Sequence, residues 1–283
     1  MIAVLRFAHK TVSLGPLILL KNFLYHLVCL GSESRYFMLK ARVQLGAARL
    51  GGYEAAYFKF LPVFIRPGSD VVDVGANVGA YTLVMARLVG PGGKVFAFEP
   101  LPTTADILAQ SCRHLTNVVI VREALSSGDH DTIDLRVPFL GGGVPEPSLA
   151  AIDPAPWAGT GLSTWKVFRV PVRRLDDHLA AFRDVSFIKV DVEGHEDAFL
   201  SGASETIRRF RPVLQLEASG LRAHAAMIER WTQVSQYVLL IVRKGRLEIA
   251  FPGALLGLNV YGLPEEMLAR LPEGLLNRPD AAC

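Results

Sequence analysis

The chain has 283 residues, of which 51% are hydrophobic and 20% charged, enough apolar material for a large core and too much for a disordered segment. Its 30 basic and 27 acidic residues nearly balance at a net charge of +3, which does not suggest nucleic acid as a partner. The three cysteines, Cys29, Cys112 and Cys283, show no C-x-x-C spacing, which excludes a disulfide framework or a zinc site and suits a reducing, cytoplasmic compartment.

The N-terminal 50 residues read as a helical extension. Leu14 to Leu30 is strongly apolar, but Lys21, Asn22 and His26 interrupt it, and it falls short of the roughly 20 clean apolar residues of a spanning helix. No A-x-A-like cleavage site follows, so a signal peptide is not expected. The plain reading is an amphipathic helix packed on the domain. The sharper reading is peripheral membrane contact through residues 1–35, aided by Arg6, His9, Lys10 and Lys21. Tyr36 to Phe64 continues helical, broken at Gly51-Gly52-Tyr53-Glu54, and Pro67-Gly68 turns the chain into the first strand.

That strand opens the central motif, Asp70-Val71-Val72-Asp73-Val74-Gly75-Ala76-Asn77-Val78-Gly79-Ala80-Tyr81-Thr82. The valines suit a strand buried on both faces, and the glycines suit a tight turn and a close approach of backbone to ligand. Ala80 to Val89 reads as a helix ending at Gly90-Pro91-Gly92-Gly93. Strand, glycine turn and helix make a nucleotide site. A pyrophosphate would want G-x-G-x-x-G, whereas the spacing here is Asp73-x-Gly75-x-Asn77-x-Gly79. The leading acid suits a ligand with an ammonium group. S-adenosylmethionine, with a cationic amino-acid end, a sulfonium, a ribose and an adenine, fits that demand.

Lys94 to Pro100 reads as the second strand, ending at Glu99, which is positioned to bond both ribose hydroxyls; the alternative is a helix-capping carboxylate. Thr103 to His114 is a helix and Asn117 to Val121 a third strand, after which Ala124 and Leu125 fall near where an adenine would lie. Thr132 to Val137 and Val167 to Val172 read as a strand pair enclosing a Gly/Pro/Ser-rich stretch, 139–165, which is too long for a plain connector and reads as a lid or insertion. A short helix covers Leu175 to Phe182. The fourth strand, Val185 to Asp191, runs into Val192-Glu193-Gly194-His195-Glu196 and a helix to about Arg208. The fifth, Arg211 to Glu217, again ends in an acid. A helix over His224 to Val234 and three closing strands, Val238 to Val242, Leu247 to Phe251 and Leu258 to Tyr261, complete the domain. From Pro264 the chain reads as a helix with a frayed end. The division expected is an extension over 1–50, a catalytic domain over 51–265 and a tail over 266–283. Alternating strands and helices argue an α/β, doubly wound, Rossmann-like sheet with helices on both faces. Ligands bind at the carboxyl edge of such a sheet, where the acids collect.

These motifs resemble the FkbM-type family of class I S-adenosylmethionine-dependent methyltransferases. The resemblance spans about residues 50 to 262 and rests on Gly52-Tyr53-Glu54, Asp73 to Gly79, Phe98-Glu99-Pro100 and Glu123-Ala124-Leu125-Ser126. It continues through Leu175-Asp176, Ile188-Lys189-Val190-Asp191-Val192-Glu193-Gly194, and Arg211-Pro212 with Glu217. It implies a seven-stranded, mostly parallel sheet with a reversed last strand, and methyl transfer to a hydroxyl of a small molecule, sugar or natural product. The candidate cofactor residues are then Glu54, Asp73, Gly75, Ala76, Asn77, Gly79, Tyr81, Thr82, Glu99, Pro100, Ala124, Leu125 and Asp191.

An alcohol oxygen is a weak nucleophile and needs a base. Asp191 or His195 is the candidate base, with Glu193 orienting substrate or base; the bland alternative for His195 is an exposed residue at a helix start. Glu196 and Asp197 read as first-turn acids meeting the helix dipole. Asp191, Glu193, His195 and Glu217 would gather a divalent cation only on a minority reading, and no metal is expected. Two rivals stand beside this function. A non-catalytic S-adenosylmethionine-binding module would bind without consuming its ligand. The other is a methyltransferase acting on a nitrogen or macromolecular acceptor; a nucleic-acid methyltransferase would want an N/D-P-P-Y/F-type motif to position a base amine where this chain has Asp-Val-Glu-Gly.

Overall fold

A computed structural model describes residues 55–140, 144–145, 150–152, 165–218, 235–243, 245–250 and 258–277, together with Arg35, Met38, Leu39, Val43, Gly46 and Thr232. Most of the proposed extension over 1–50, of the 139–165 stretch and of the expected helix over His224 to Val234 lies outside the described residues.

Two short helices, α1 (Ala55–Phe58) and α2 (Leu61–Phe64), lead into β1 (Asp70–Val74). The chain then alternates through α3 (Ala80–Val89), β2 (Val95–Phe98), α4 (Pro102–Cys112) and β3 (Val118–Val121). After β4 (Ala124–Leu125), β5 (Thr132–Leu140), β6 (Val144–Pro145) and β7 (Trp165–Arg173), a 3-10 helix spans Leu175–Ala181. The second half holds β8 (Val185–Val190), α5 (Glu196–Gly202), α6 (Ser204–Phe210) and β9 (Val213–Ala218). It closes with β10 (Tyr237–Arg243), β11 (Arg246–Ile249), β12 (Leu258–Pro264), α7 (Glu265–Leu268) and β13 (Leu276–Asn277).

The main sheet runs β13-β11-β10-β12-β9-β8-β1-β2-β3. Its heart is parallel, and β12 lies antiparallel between β9 and β10. Among the described residues this sheet holds nine strands, where the resemblance implied seven. The two beyond it are β11, expected as a closing strand over Leu247 to Phe251, which folds back on β10 across Gly245 (φ 77°), and β13, which pairs with β11 through Leu276 and Asn277. A two-residue strand in a tail has no periodicity to read, so only the pairing reveals it.

The hairpin expected from 132–137 and 167–172 is present: β5 and β7 pair antiparallel from Thr132↔Pro171 to Pro138↔Trp165. With β4 and β6 they form a separate four-stranded sheet over a small core of Leu135, Val137, Val170 and Val172.

Every residue of β1, β2 and β8 is buried, as their β-branched and aromatic runs require of strands covered on both faces. Alternate residues point to opposite faces. Val72, Val74, Ile188, Val190, Leu214 and Leu216 serve one apolar cluster; Val71, Phe187 and Val213 serve the other, against Tyr81 and Met85 of α3. That second face carries the site. Asp73 stands in register with Lys189, and Lys189 with Gln215. One step further toward the carboxyl ends, the same face presents Gly75, Asp191 and Glu217.

Candidate active site

The turn after β1 is built around Gly75, at φ 69°. A Cβ there would lie 2.0 Å from the Asp191 carbonyl oxygen, so this position needs glycine both for its dihedral and for the close approach of two backbones. Gly79, at φ 96°, caps the start of α3. Four N–H groups of the turn, those of Gly75, Ala76, Asn77 and Gly79, are spent inside the protein. Gly75 and Ala76 donate to the Phe98 carbonyl at 3.1 and 3.0 Å, and Gly79 donates to that of Ala76 at 3.0 Å. Asn77 donates to Glu99 Oε2 at 2.8 Å. A phosphate cradle needs such donors aimed at the ligand, so this turn is not built for a pyrophosphate.

Asp73 is fully buried. Its Oδ2 accepts the Thr82 hydroxyl at 2.6 Å, from the first turn of α3. The acid expected to meet a ligand ammonium therefore sits beneath the crevice, where a carboxylate favourably meets the helix dipole. Burial pushes its pKa up, against the pull of nearby Lys189. Thr82, also fully buried, anchors Asp73 and presents nothing to the crevice.

Lys189 interrupts the apolar run of β8, and that interruption was the legible signal of a role. Its ammonium donates to the Gly75 carbonyl at 3.1 Å, lies 3.3 Å from Asp191 Oδ2 and 3.8 Å from Asp73 Oδ1. It also sits 5.1 Å above the Tyr81 ring, whose hydroxyl accepts Gln215 Nε2 at 2.7 Å. Gly75, Ala76, Asn77, Tyr81, Lys189 and Asp191 line one crevice at the carboxyl edge.

Asp191, Glu193 and Glu217 gather at the carboxyl ends of β8 and β9. One carboxylate oxygen from each lies within 4.8 Å of the other two, a spacing at which oxygens can share a divalent cation. Glu193 reaches this position through a left-handed backbone (φ 50°) followed by Gly194 at φ 97°. A left-handed residue with a Cβ costs about 1–3 kcal/mol, and such strain collects at functional sites.

Glu99 ends β2 nearly buried, with Oε1 accepting the Leu101 N–H at 3.0 Å and Oε2 that of Asn77. Desolvation lifts its pKa to about 7, opposed by those two bonds. A carboxylate has about four acceptor sites, so it keeps capacity for two hydroxyls.

His195 is held away from this group. Its Nε2 shares a 2.8 Å hydrogen bond with Ser126 Oγ, and burial lowers its pKa. It is the N-cap residue of α5 and is partly buried, so the exposed-histidine alternative does not hold. Glu196 stands in the first turn of α5, as expected, and is fully buried there. Leu125 turns its side chain into the main core, while Ala124 and Leu101 belong to the core of the small sheet. Pro100 is partly buried beside Glu99, and Glu54 lies outside the described residues. Asp176 caps α6, accepting the N–H groups of Glu205 and Thr206 at 3.0 and 2.8 Å. Lys189, Gln215 and Ser126 are positions to which the motifs assigned no role.

The model of the methyltransferase FkbM domain matches residues 73–238, more than half of the chain. The chain belongs to the FkbM methyltransferase family. Among its relatives, the 31-O-demethyl-FK506 methyltransferase FkbM of Streptomyces tacrolimicus is 31% identical over 169 residues, covering 50% of this chain and 62% of the relative. The hexuronic acid methyltransferase AglP of Haloferax volcanii is 29% identical over 144 residues, covering 48% and 50%. The ribosomal RNA large subunit methyltransferase E of Alkalilimnicola ehrlichii is 45% identical over only 64 residues, covering 20% and 31%. The FkbM-family chain thus spans less than two thirds of the length of each of these relatives.

Proposed function

We propose that the protein is an S-adenosylmethionine-dependent O-methyltransferase acting on a hydroxyl of a small molecule, sugar or natural product. The observation that carries the reading is Asp191. In a chain of this family, it is a partly exposed carboxylate fixed at the end of β8 against the Gly75 turn and Lys189. The donor set fits the cofactor. Glu99, Asp191, Glu193 and Glu217 are acceptors only when ionised, suited to hydroxyls and a cationic end, and the turn offers no row of donors for phosphate.

S-adenosylmethionine, when bound, supplies a methyl group already activated by its sulfonium. The Gly75–Gly79 turn would hold its amino-acid end and Glu99 its ribose hydroxyls, with the backbone at Ala124–Leu125 toward the adenine. The protein's remaining task is orientation and proton removal. Asp191 Oδ2 faces the Lys189 ammonium, and the acceptor's proton goes to the other oxygen, Oδ1. Glu193 orients the acceptor hydroxyl. His195, committed to Ser126, fixes the start of α5 and with it the loop carrying Glu193.

The clustering of Asp191, Glu193 and Glu217 favours a second reading, in which they hold a divalent cation that polarises the hydroxyl. The cysteine pattern supports a cytoplasmic location, and the apolar stretch within 1–35 supports peripheral membrane contact. The 31-O-demethyl-FK506 and hexuronic acid acceptors in the names of two relatives support the hydroxyl class. The partial ribosomal RNA match keeps a macromolecular acceptor as the rival.

The test is incubation with methyl-labelled S-adenosylmethionine and fractionated small-molecule and glycolipid extracts, read by mass spectrometry. Labelled product and S-adenosylhomocysteine are expected from the wild type. Asp191→Asn should lose about 10²–10⁴ in turnover, the scale of general-base catalysis, with S-adenosylhomocysteine still bound. Turnover by Asp191→Asn at the wild-type rate would rule out this base.

A further inference from the structure

Lys189 is 5% exposed, in a strand whose other residues are also buried. Burying an ammonium costs several kcal/mol unless it is paired and hydrogen-bonded. Simple neutralisation would be served by Asp73, which is fully buried and stands opposite it in register. The distances say otherwise. Asp73 Oδ1 is the most remote of the three oxygens, at 3.8 Å, and makes no hydrogen bond. The short contacts go to the Gly75 carbonyl at 3.1 Å and to Asp191 Oδ2 at 3.3 Å. One belongs to the turn after β1, the other to the end of β8. These segments form two walls of the crevice, and their backbones already touch at Gly75 and the Asp191 carbonyl. The ammonium is a cross-tie between them. The Tyr81 ring lies under the charge, and the Tyr81 hydroxyl is held in turn by Gln215.

We propose that Lys189 is a positioning residue, which holds the Asp191 carboxylate against the glycine turn in the orientation the methyl acceptor meets. The proposal rests on the reading of Asp191 as the base. It assigns to Lys189 the choice of which Asp191 oxygen takes the proton, since Oδ2 belongs to the ammonium.

Lys189→Met alone would strand the buried Asp73 carboxylate without a cation and confuse loss of fold with loss of position. The test therefore compares Asp73→Asn with the double variant Asp73→Asn/Lys189→Met, in which no buried charge is stranded. In the double variant, kcat should fall about 100-fold below the single variant, the cost of a misplaced catalytic group. The KM for S-adenosylmethionine should stay within about threefold, because the loss falls on the reacting geometry. Amide hydrogen exchange should quicken about tenfold at 75–79 and 191–194, as for a local loss of stability, and stay unchanged at Phe96–Phe98.

Equal kcat and equal exchange in the two variants would overturn the proposal and leave Lys189 as the counter-ion of Asp73. Uniformly faster exchange across the sheet would also overturn it, by making Lys189 a residue of general stability. A wild-type protein that forms no S-adenosylhomocysteine overturns the methyltransferase reading instead, and the exchange comparison then decides the cross-tie on its own.

Discussion

Glu99 offers a sharp test of the site's electrostatics. The residue is 6% exposed and desolvation raises its pKa from 4.5 to about 7, despite the Asn77 and Leu101 N–H groups that bond it. The folded chain therefore holds a proton that the unfolded chain has released between these values. Stability from this group is complete below about 4.5 and is lost as pH rises to about 7. At 1.36 kcal/mol per unit, the loss amounts to about 3 kcal/mol. Glu99→Gln removes the titration. It also turns an amide N–H₂ toward one of the two backbone donors, a cost of about 1–3 kcal/mol that does not vary with pH. Urea unfolding from pH 4.5 to 8 should show the variant's stability falling less over this window, by about 3 kcal/mol, than the wild type's. Parallel curves would refute the reasoning. Ligand hydroxyls donated to Glu99 favour its charged form, so S-adenosylmethionine binding near pH 6.5 should release protons. Calorimetry in buffers of different ionisation heat would register that release.

Gly75→Ala should cost at least about 2 kcal/mol in urea unfolding and most of the turnover, since the new Cβ must displace the Asp191 carbonyl and the residue stays left-handed. Gly68→Ala, at φ 82° with nothing within 4 Å, should cost only the dihedral strain; equal losses at both positions would remove the close-approach argument. Turnover should survive exhaustive dialysis against EDTA. Loss of activity restored by magnesium would make Asp191, Glu193 and Glu217 ligands of a cation.

Much of this was legible along the chain. The β-branched run before Gly75, the strand ending at Glu99 and the 132–137/167–172 hairpin each carry a local periodicity that needs no partner to be read. Roles at the site were less legible, because a residue's chemistry does not say which way it is bonded. Asp176 lies in a motif yet caps α6, and His195 stands two residues after Glu193 yet bonds Ser126 on another strand's end. Glu196 is the first-turn acid it looks like, and only the packing shows that it is buried.

The sequence by itself determined three strands with the same alternation: Val71-x-Asp73-x-Gly75, Phe187-x-Lys189-x-Asp191 and Val213-x-Gln215-x-Glu217. Each runs from apolar through polar to the residue that meets the crevice, and period two alone places those residues on one face of their own strand. Only the tertiary structure decided that the three strands lie side by side in matching register, with Asp73 opposite Lys189 and Lys189 opposite Gln215. Register is a long-range choice, made by the packing of α3 and the apolar rows beneath. It places the lysine among Gly75, Asp73 and Asp191, buries the acid that looked ready for a ligand, and brings Glu217 to Asp191.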